Sequence, residues 1–242
     1  MPTIREALAI PHPTAGARVV ADQLVGGGPD LVFLHGLVSV RVGEKSTALF
    51  AHAARHRLGA WRFDFRGHGD SSGELADTSL SDLVTDAAAV LDASGPAHLV
   101  GSSLGGLVAA WTAARRPDRV LSLTLLAPAF RFLERLIARS DADGNVHLDH
   151  TAGVLRFGPN VLADFREHDE ADLARRIRCP VLTFHGEHDD VVPIAASREF
   201  HTRLRGVRHD LRTVRDGDHR LNLPIRAILE EARTFHDHRP LP

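Results

Sequence analysis

The sequence predicts an α/β fold with a mostly parallel central sheet flanked by helices. Three observations carry this. Short, largely apolar runs such as Leu31-Val32-Phe33-Leu34 and Val181-Leu182-Thr183-Phe184 recur between helical stretches. A strand apolar on both faces belongs to a sheet covered by helices on both sides. Leu80, Leu83, Val84, Ala87, Val90 and Leu91 fall at i, i+3, i+4 and i+7, the spacing of an amphipathic helix. Finally, Ala97-His98-Leu99-Val100, then Gly101-Ser102-Ser103-Leu104-Gly105, then an apolar run over 106–114 read as strand, sharp turn and helix.

In chain order, 3–10 and 17–25 alternate like two antiparallel strands broken by Pro11, Pro13 and Gly16. The run Gly26 to Asp30 is expected as a turn, with no helix start after it to make a phosphate loop. Residues 31–34 and 60–65 read as strands, with a helix over 47–58 between them. A glycine-rich loop follows at 66–73. The amphipathic helix has Thr78 or Ser79 as its cap and ends at Gly95-Pro96. Strands are expected at 119–126, 181–184 and 209–214, and helices over 193–204 and 224–235, the last opened by proline. Residues 129–172 break this rhythm. They hold an apolar stripe (Phe130, Phe132, Leu133, Leu136, Ile137), a turn at 141–145 and a candidate hairpin over 146–149 and 153–157. We expect one domain, 1–242, with 129–172 a small lid whose stripe needs something to cover. Phe130, Leu133 and Ile137 are its candidate substrate contacts.

Length and composition narrow the function. The 242 residues suit one large α/β domain. A net charge of −2 supplies no field for nucleic acid or an anionic membrane. No run of 18 apolar residues occurs, and the first ten residues lack the apolar core of a secretory signal, so a cytoplasmic location is expected. The lone cysteine, Cys179, excludes an internal disulfide and is expected as a buried thiol. Of the 16 histidines, His52, His56, His201, His236 and His238 sit in polar surroundings and are expected to be solvated.

G-x-S-x-G between a strand and a helix is the context of a nucleophile elbow, a turn so tight that the central side chain is thrust outward. Ser103 stands at that tip. A serine hydroxyl is a weak nucleophile and needs a base, itself oriented by a third group. Downstream, one strand ends in His185-Gly186-Glu187-His188-Asp189-Asp190, and the next in Asp216-Gly217-Asp218-His219. Both loops fall at the C-terminal sheet edge, where ligands bind in open α/β sheets. His219 is the candidate base. Asp189 is in position to orient it, with Asp190 the competing carboxylate. The Leu104 amide, at the start of the following helix, supplies one oxyanion donor. His185, His188 and Asp189 have metal-ligand types but no further ligand cluster at a recognisable spacing, so no metal is expected. Arg66 and His68 are read as shaping the glycine-rich loop, and Arg41, Glu44 and Lys45 as facing water.

With these motifs in order, the chain resembles the α/β-hydrolase superfamily over essentially its whole length. The resemblance rests on the elbow, His35-Gly36, the run Asp64 to Ser72, the His-Gly-x-x-Asp-x-x-Val-Pro run from His185, and Gly217-Asp218-His219. Within the superfamily it is similar to bacterial feruloyl/cinnamoyl-type carboxylesterases and to acyl-protein thioesterase and acyl-glucuronide esterase-type hydrolases. The resemblance implies a serine hydrolase acting on carboxylic esters, with thioester hydrolysis as the alternative and a peptidase or acyltransferase as lesser ones. It aligns Asp189, not Asp190, with the catalytic acid and the Leu37 amide with the second oxyanion donor. It implies no cofactor and a small-molecule ester or thioester substrate. Dehalogenases of this fold carry Asp where Ser103 stands. Non-catalytic members commonly lose one of three residues that this chain keeps.

Overall fold

The computed structural model describes residues 3–150 and 152–237, and His238 lies outside them. The strands are β1 (Ile4–Ile10), β2 (Val19–Leu24), β3 (Gly27–Leu34), β4 (Leu58–Asp64), β5 (Ala97–Ser102), β6 (Val120–Leu126), β7 (Val146–His150), β8 (Gly153–Phe157), β9 (Val181–Gly186) and β10 (His209–Val214). Eight form one sheet in the order β1-β2-β4-β3-β5-β6-β9-β10. β2 pairs antiparallel with both β1 and β4, and every other pairing is parallel, so β2 alone runs against the rest.

The helices are α1 (Glu44–His56), α2 (Leu80–Ser94), α3 (Leu104–Arg115), α4 (Phe132–Ala138), α5 (Pro159–Arg166), α6 (Glu170–Arg176), α7 (Ile194–Arg203) and α8 (Ile225–Asp237). Successive residues of the apolar strands serve opposite faces. Val32, Leu34, Leu99 and Leu123 join a core with α2, α3 and α7. Phe33, Val100, Leu126 and Leu182 join a second core with α1 and α8. The continuous apolar runs follow from this double coverage. The cap of α2 is Ser79: its Oγ accepts from the Asp82 amide at 3.1 Å, and the Asp82 carboxylate accepts from the Ser79 amide at 3.0 Å.

Two expectations need correction. The stretch expected as a turn before Leu31 is strand from Gly27 onward. Trp61 Nε1 donates to Asp30 Oδ2 at 2.7 Å and ties the start of β3 to β4. Of the histidines expected to be solvated, His52 and His201 are buried, and His201 Nε2 pairs with Thr183 Oγ1 at 2.8 Å. Among the described residues no helix is long and apolar enough to cross a membrane.

The excursion between β6 and β9 holds α4, the β7–β8 hairpin, α5 and α6. It packs onto α2, α3 and the turn at 75–77. Helices α5 and α6 are absent from the sequence reading because each spans only about two turns, too few for an apolar period to emerge. Their signals are local: Pro159 at the first position of α5, and Asp169, whose carboxylate accepts from the Ala171 amide at 2.8 Å, capping α6.

Candidate active site

β5 ends at Ser102 and α3 begins at Leu104, leaving Ser103 alone to turn the chain, with φ 54° and ψ −119°. That conformation is strained for a residue with a side chain and persists only where its surroundings enforce it. They do so by hydrogen bonding: the Ser103 amide donates to Leu126 O at 2.9 Å, and its carbonyl accepts from Gly106 and Ala129. The flanking glycines are required by space. A Cβ on Gly101 would meet the Gly105 and Gly106 backbone, and one on Gly105 the carbonyls of Leu34 and His35.

Two loops at the same sheet edge meet Ser103. His219 Nε2 lies 3.0 Å from Ser103 Oγ, and His219 Nδ1 lies 2.8 Å from Asp189 Oδ2. Nδ1 therefore carries the proton donated to the carboxylate, leaving Nε2 to accept from the hydroxyl. Asp190 is exposed, whereas the Asp189 side chain is fully buried. Asp189 Oδ1 accepts from the Val191 and Val192 amides at 2.9 and 2.8 Å. Its Oδ2 also faces His185 Nε2 at 3.1 Å. Burial acts to raise the Asp189 carboxyl, but the hydrogen bonds from His185, His219 and the Val192 amide outweigh it and hold the group well below the usual carboxylate range. His185 is itself fixed by Ser197 Oγ at 2.8 Å and Val192 O at 2.9 Å. The acid loop and the histidine loop press together at Gly186, where a Cβ would strike the Gly217 and Asp218 carbonyls. The chain needs glycine there to bring Asp189 to His219.

The loop after β3 passes over the elbow so closely that a Cβ on Gly36 would lie 3.3 Å from Ser103 Cβ. Two buried histidines, not coupled by any sequence motif, hold this loop. His35 donates from Nδ1 to Gly36 O at 2.8 Å and accepts the Phe65 amide at Nε2. His68 donates from Nδ1 to Arg66 O and accepts the Val38 amide at Nε2, 3.3 Å away. Burial, reinforced by neighbouring His68, pushes His35 down to about 4, and burial lowers His68 too, so both rings are neutral and able to accept. The Val38 and Ser39 amides are engaged by His68 and Gly36 O, while among the described residues the Leu37 amide has no acceptor. The Leu104 amide, at the first position of α3, is one of the donors a helix start leaves without an intrahelical partner.

Arg41, expected to face water, is instead largely buried. It binds Asp64, Asp22 at 3.2 Å and Asp70 at 2.7 Å, tying the loop after β3 to β2 and to the glycine-rich loop. Arg66 pairs with Asp86 at 2.7 Å and Asp82 at 3.1 Å. Cys179 is buried and its thiol is pushed up to about 12 by that burial, so it is not a nucleophile at neutral pH.

Beside Leu37 and Leu104 lies a largely apolar cavity of about 10 Å³, room for one water at most. Leu75, Phe132, Leu136, Phe157 and Phe165 complete most of its wall. Of the expected contacts Phe130, Leu133 and Ile137, none lines it. Phe130 stacks on Phe200, with ring centroids 4.2 Å apart; Phe130 and Leu133 line a separate groove, and Ile137 is 46% exposed. The apolar stripe is real but its inward edge is Phe132 and Leu136, i and i+4 on α4, one position earlier than expected. The sequence could not fix that rotation, because both pairs have helical spacing.

Comparison with known proteins agrees with this fold. A family profile described as alpha/beta hydrolase fold matches residues 29–147. The pimeloyl-[acyl-carrier protein] methyl ester esterase of Chromobacterium violaceum is 30% identical over 223 residues, covering 73% of this chain and 82% of that protein. The chain belongs to the α/β-hydrolase superfamily. Bovine mitochondrial palmitoyl-protein thioesterase ABHD10 is 28% identical over 214 residues, 82% of this chain and 69% of that protein. Among solved α/β-hydrolase-type structures, Est1E from Butyrivibrio proteoclasticus with ferulic acid bound superposes with a TM-score of 0.81 at 23% identity, over 95% of this chain and 99% of that one.

Proposed function

We propose that the protein is a serine hydrolase that cleaves carboxylic esters of small or medium acyl groups through an acyl-enzyme on Ser103. The observation that carries the reading is the continuous chain of contacts from Ser103 Oγ through His219 to Asp189 Oδ2, at 3.0 and 2.8 Å. His219 Nε2 takes the hydroxyl proton as Ser103 Oγ attacks the ester carbonyl. Asp189 holds the ring and balances the imidazolium. The carbonyl oxygen, now charged, is met by the Leu37 and Leu104 amides, the latter favoured by the start of α3. His219 then protonates the departing alcohol. In the second half the same Nε2 takes a proton from water, whose oxygen attacks the acyl carbonyl, and returns it to Ser103 as the acid leaves.

The acyl preference rests on the cavity. Its wall is largely apolar and its free space is about that of one water, so an acyl group enters by displacing α4 and α5, by little for a short chain and by more for a long one. In this reading residues 129–172 of the excursion act as the lid. Thioester hydrolysis follows the same steps with sulfur leaving. It is favoured by the similarity to a palmitoyl-protein thioesterase across 82% of the chain.

A series of p-nitrophenyl esters from acetate to palmitate, beside acyl thioesters of matching length, tests both readings. Expected is the highest kcat/KM at a short or medium oxygen ester, with palmitate lower by about tenfold or more. Leu136→Ala is expected to move the optimum to longer chains, and Leu133→Ala to leave it in place. A palmitoyl optimum in the unaltered protein would overturn the short-to-medium acyl preference, and a preference for thioesters at every length would overturn the ester assignment.

A further inference from the structure

Helices α1 and α8 pack against each other on the face of the sheet that holds the second core. His52 and His56 stand four residues apart on α1, so their rings share one side of the helix, with centroids 4.6 Å apart. Glu230 of α8 lies against both: its Oε1 is 3.3 Å from His52 Nδ1 and 3.0 Å from His56 Nε2. One ligand atom from each of the three residues lies within 4.8 Å of one from each of the others. A tetrahedral ion with ligands at about 2.0–2.2 Å sets its ligand atoms about 3.3–3.6 Å apart. Both carboxylate–imidazole separations are close to that edge, so small side-chain adjustments bring all three donors onto one centre.

We propose that His52 Nδ1, His56 Nε2 and Glu230 Oε1 form a binding site for a zinc-class divalent cation that clasps α8 to α1, with water as the fourth ligand. Two imidazoles and one carboxylate suit Zn²⁺, Co²⁺ or Ni²⁺. They do not suit Ca²⁺ or Mg²⁺, which demand more oxygen ligands than the site offers. His52 is buried, whereas 25% of the His56 side chain and 38% of that of Glu230 are exposed, so the ion has a route in and the water a place to sit. Two cations also face Glu230. Arg55 Nη1 is 3.1 Å from Oε1, but its side chain is 58% exposed and free to turn to solvent as the ion arrives. Arg233 Nε is 3.6 Å from Oε2, the oxygen not used, where it orients the carboxylate from behind.

The site lies outside the residues assigned to hydrolysis. Its effect is mechanical: α8 begins six residues after His219, at Ile225, and an ion bound between the helices fixes the segment that closes the chain behind the histidine loop. By sequence alone no metal is expected, and His52 and His56 are expected to be solvated. The i, i+4 histidine pair was visible in the sequence, but its third ligand is 174 residues away from His56 and only the fold supplies it.

The test uses the full chain, stripped with a chelator and titrated with Zn²⁺ and, as a spectroscopic probe, Co²⁺, with Ca²⁺ and Mg²⁺ as controls. Expected are one equivalent of Co²⁺ with the intense visible absorption of four-coordinate cobalt, and a Tm raised by about 5–10 °C at Zn²⁺ a hundredfold above Kd. Ca²⁺ and Mg²⁺ should produce neither. His56→Ala and Glu230→Ala should each weaken binding by about 100-fold or more, with circular dichroism showing the fold retained. Should His56→Ala fold poorly, His56→Gln replaces it. Octahedral cobalt spectra, no zinc-dependent Tm rise, or binding that survives both substitutions would overturn the site. The last result would place the ion on other histidines.

Discussion

Alanine in place of Ser103 is expected to lower kcat for an aryl ester by about 10⁶, leaving only the catalysis that binding and the oxyanion donors supply. The size of the loss follows from the division of labour at the site. Without Oγ there is no acyl-enzyme, and His219 and Asp189 have no proton to relay. Fold and stability should change little, because the strained φ of Ser103 is enforced by the backbone bonds of its amide and carbonyl, which alanine keeps. Comparing kcat of the purified variant with that of the unaltered protein, alongside their melting curves, checks both halves of the expectation. A loss of less than about tenfold would mean that turnover does not pass through Ser103.

Asn in place of Asp189 should lower kcat by about 10⁴, while Asp190→Asn should leave it within a few-fold. The structure separates the neighbours: Asp189 Oδ2 meets His219 at 2.8 Å and Asp190 is exposed. Asparagine at 189 preserves size, but its amide group presented to Nδ1 favours the wrong tautomer of His219. The pH dependence carries its own sign. A carboxyl depressed in the folded state contributes stability that is fully present above its unfolded pKa of about 3.9 and is lost as pH falls through the lower folded value. The hydrogen bonds from His185, His219 and the Val192 amide depress Asp189. Asp189 therefore stays ionised throughout the neutral and mildly acidic range, and any acid-side fall in rate above about pH 5 originates elsewhere. Asp189→Asn should also flatten the loss of stability below about pH 4, which acid unfolding curves of the two proteins would show.

The residues of the site were legible where they are tied to local backbone constraints. Gly101 and Gly105 mark a turn that only glycine fits, so Ser103 could be read as a nucleophile before any fold was known. The resemblance separated Asp189 from Asp190, and the fold explains the difference: one carboxylate is gathered in by the Val191 and Val192 amides and the other faces water. What the sequence did not disclose was relational. His35 and His68 support the Leu37 loop through backbone contacts, His68 from 30 residues away. Arg41 becomes buried because Asp22, Asp64 and Asp70 converge on it from separate segments. The stripe on α4 was readable as apolar, but its rotation toward Phe132 and Leu136 depends on what packs beneath it. Likewise, His52 looked solvated because the partner that covers it, Glu230, arrives with the last helix.

Covalent labelling shows whether Ser103 is the residue that His219 activates. The unaltered protein, treated with a fluorophosphonate and digested, should carry the phosphonate on the peptide containing Ser103 and should lose ester hydrolysis in proportion to labelling. His219→Ala, still folded, should label far more slowly. Failure of the folded protein to label, or a phosphonate carried on another residue while turnover persists, would rule out Ser103 as the nucleophile.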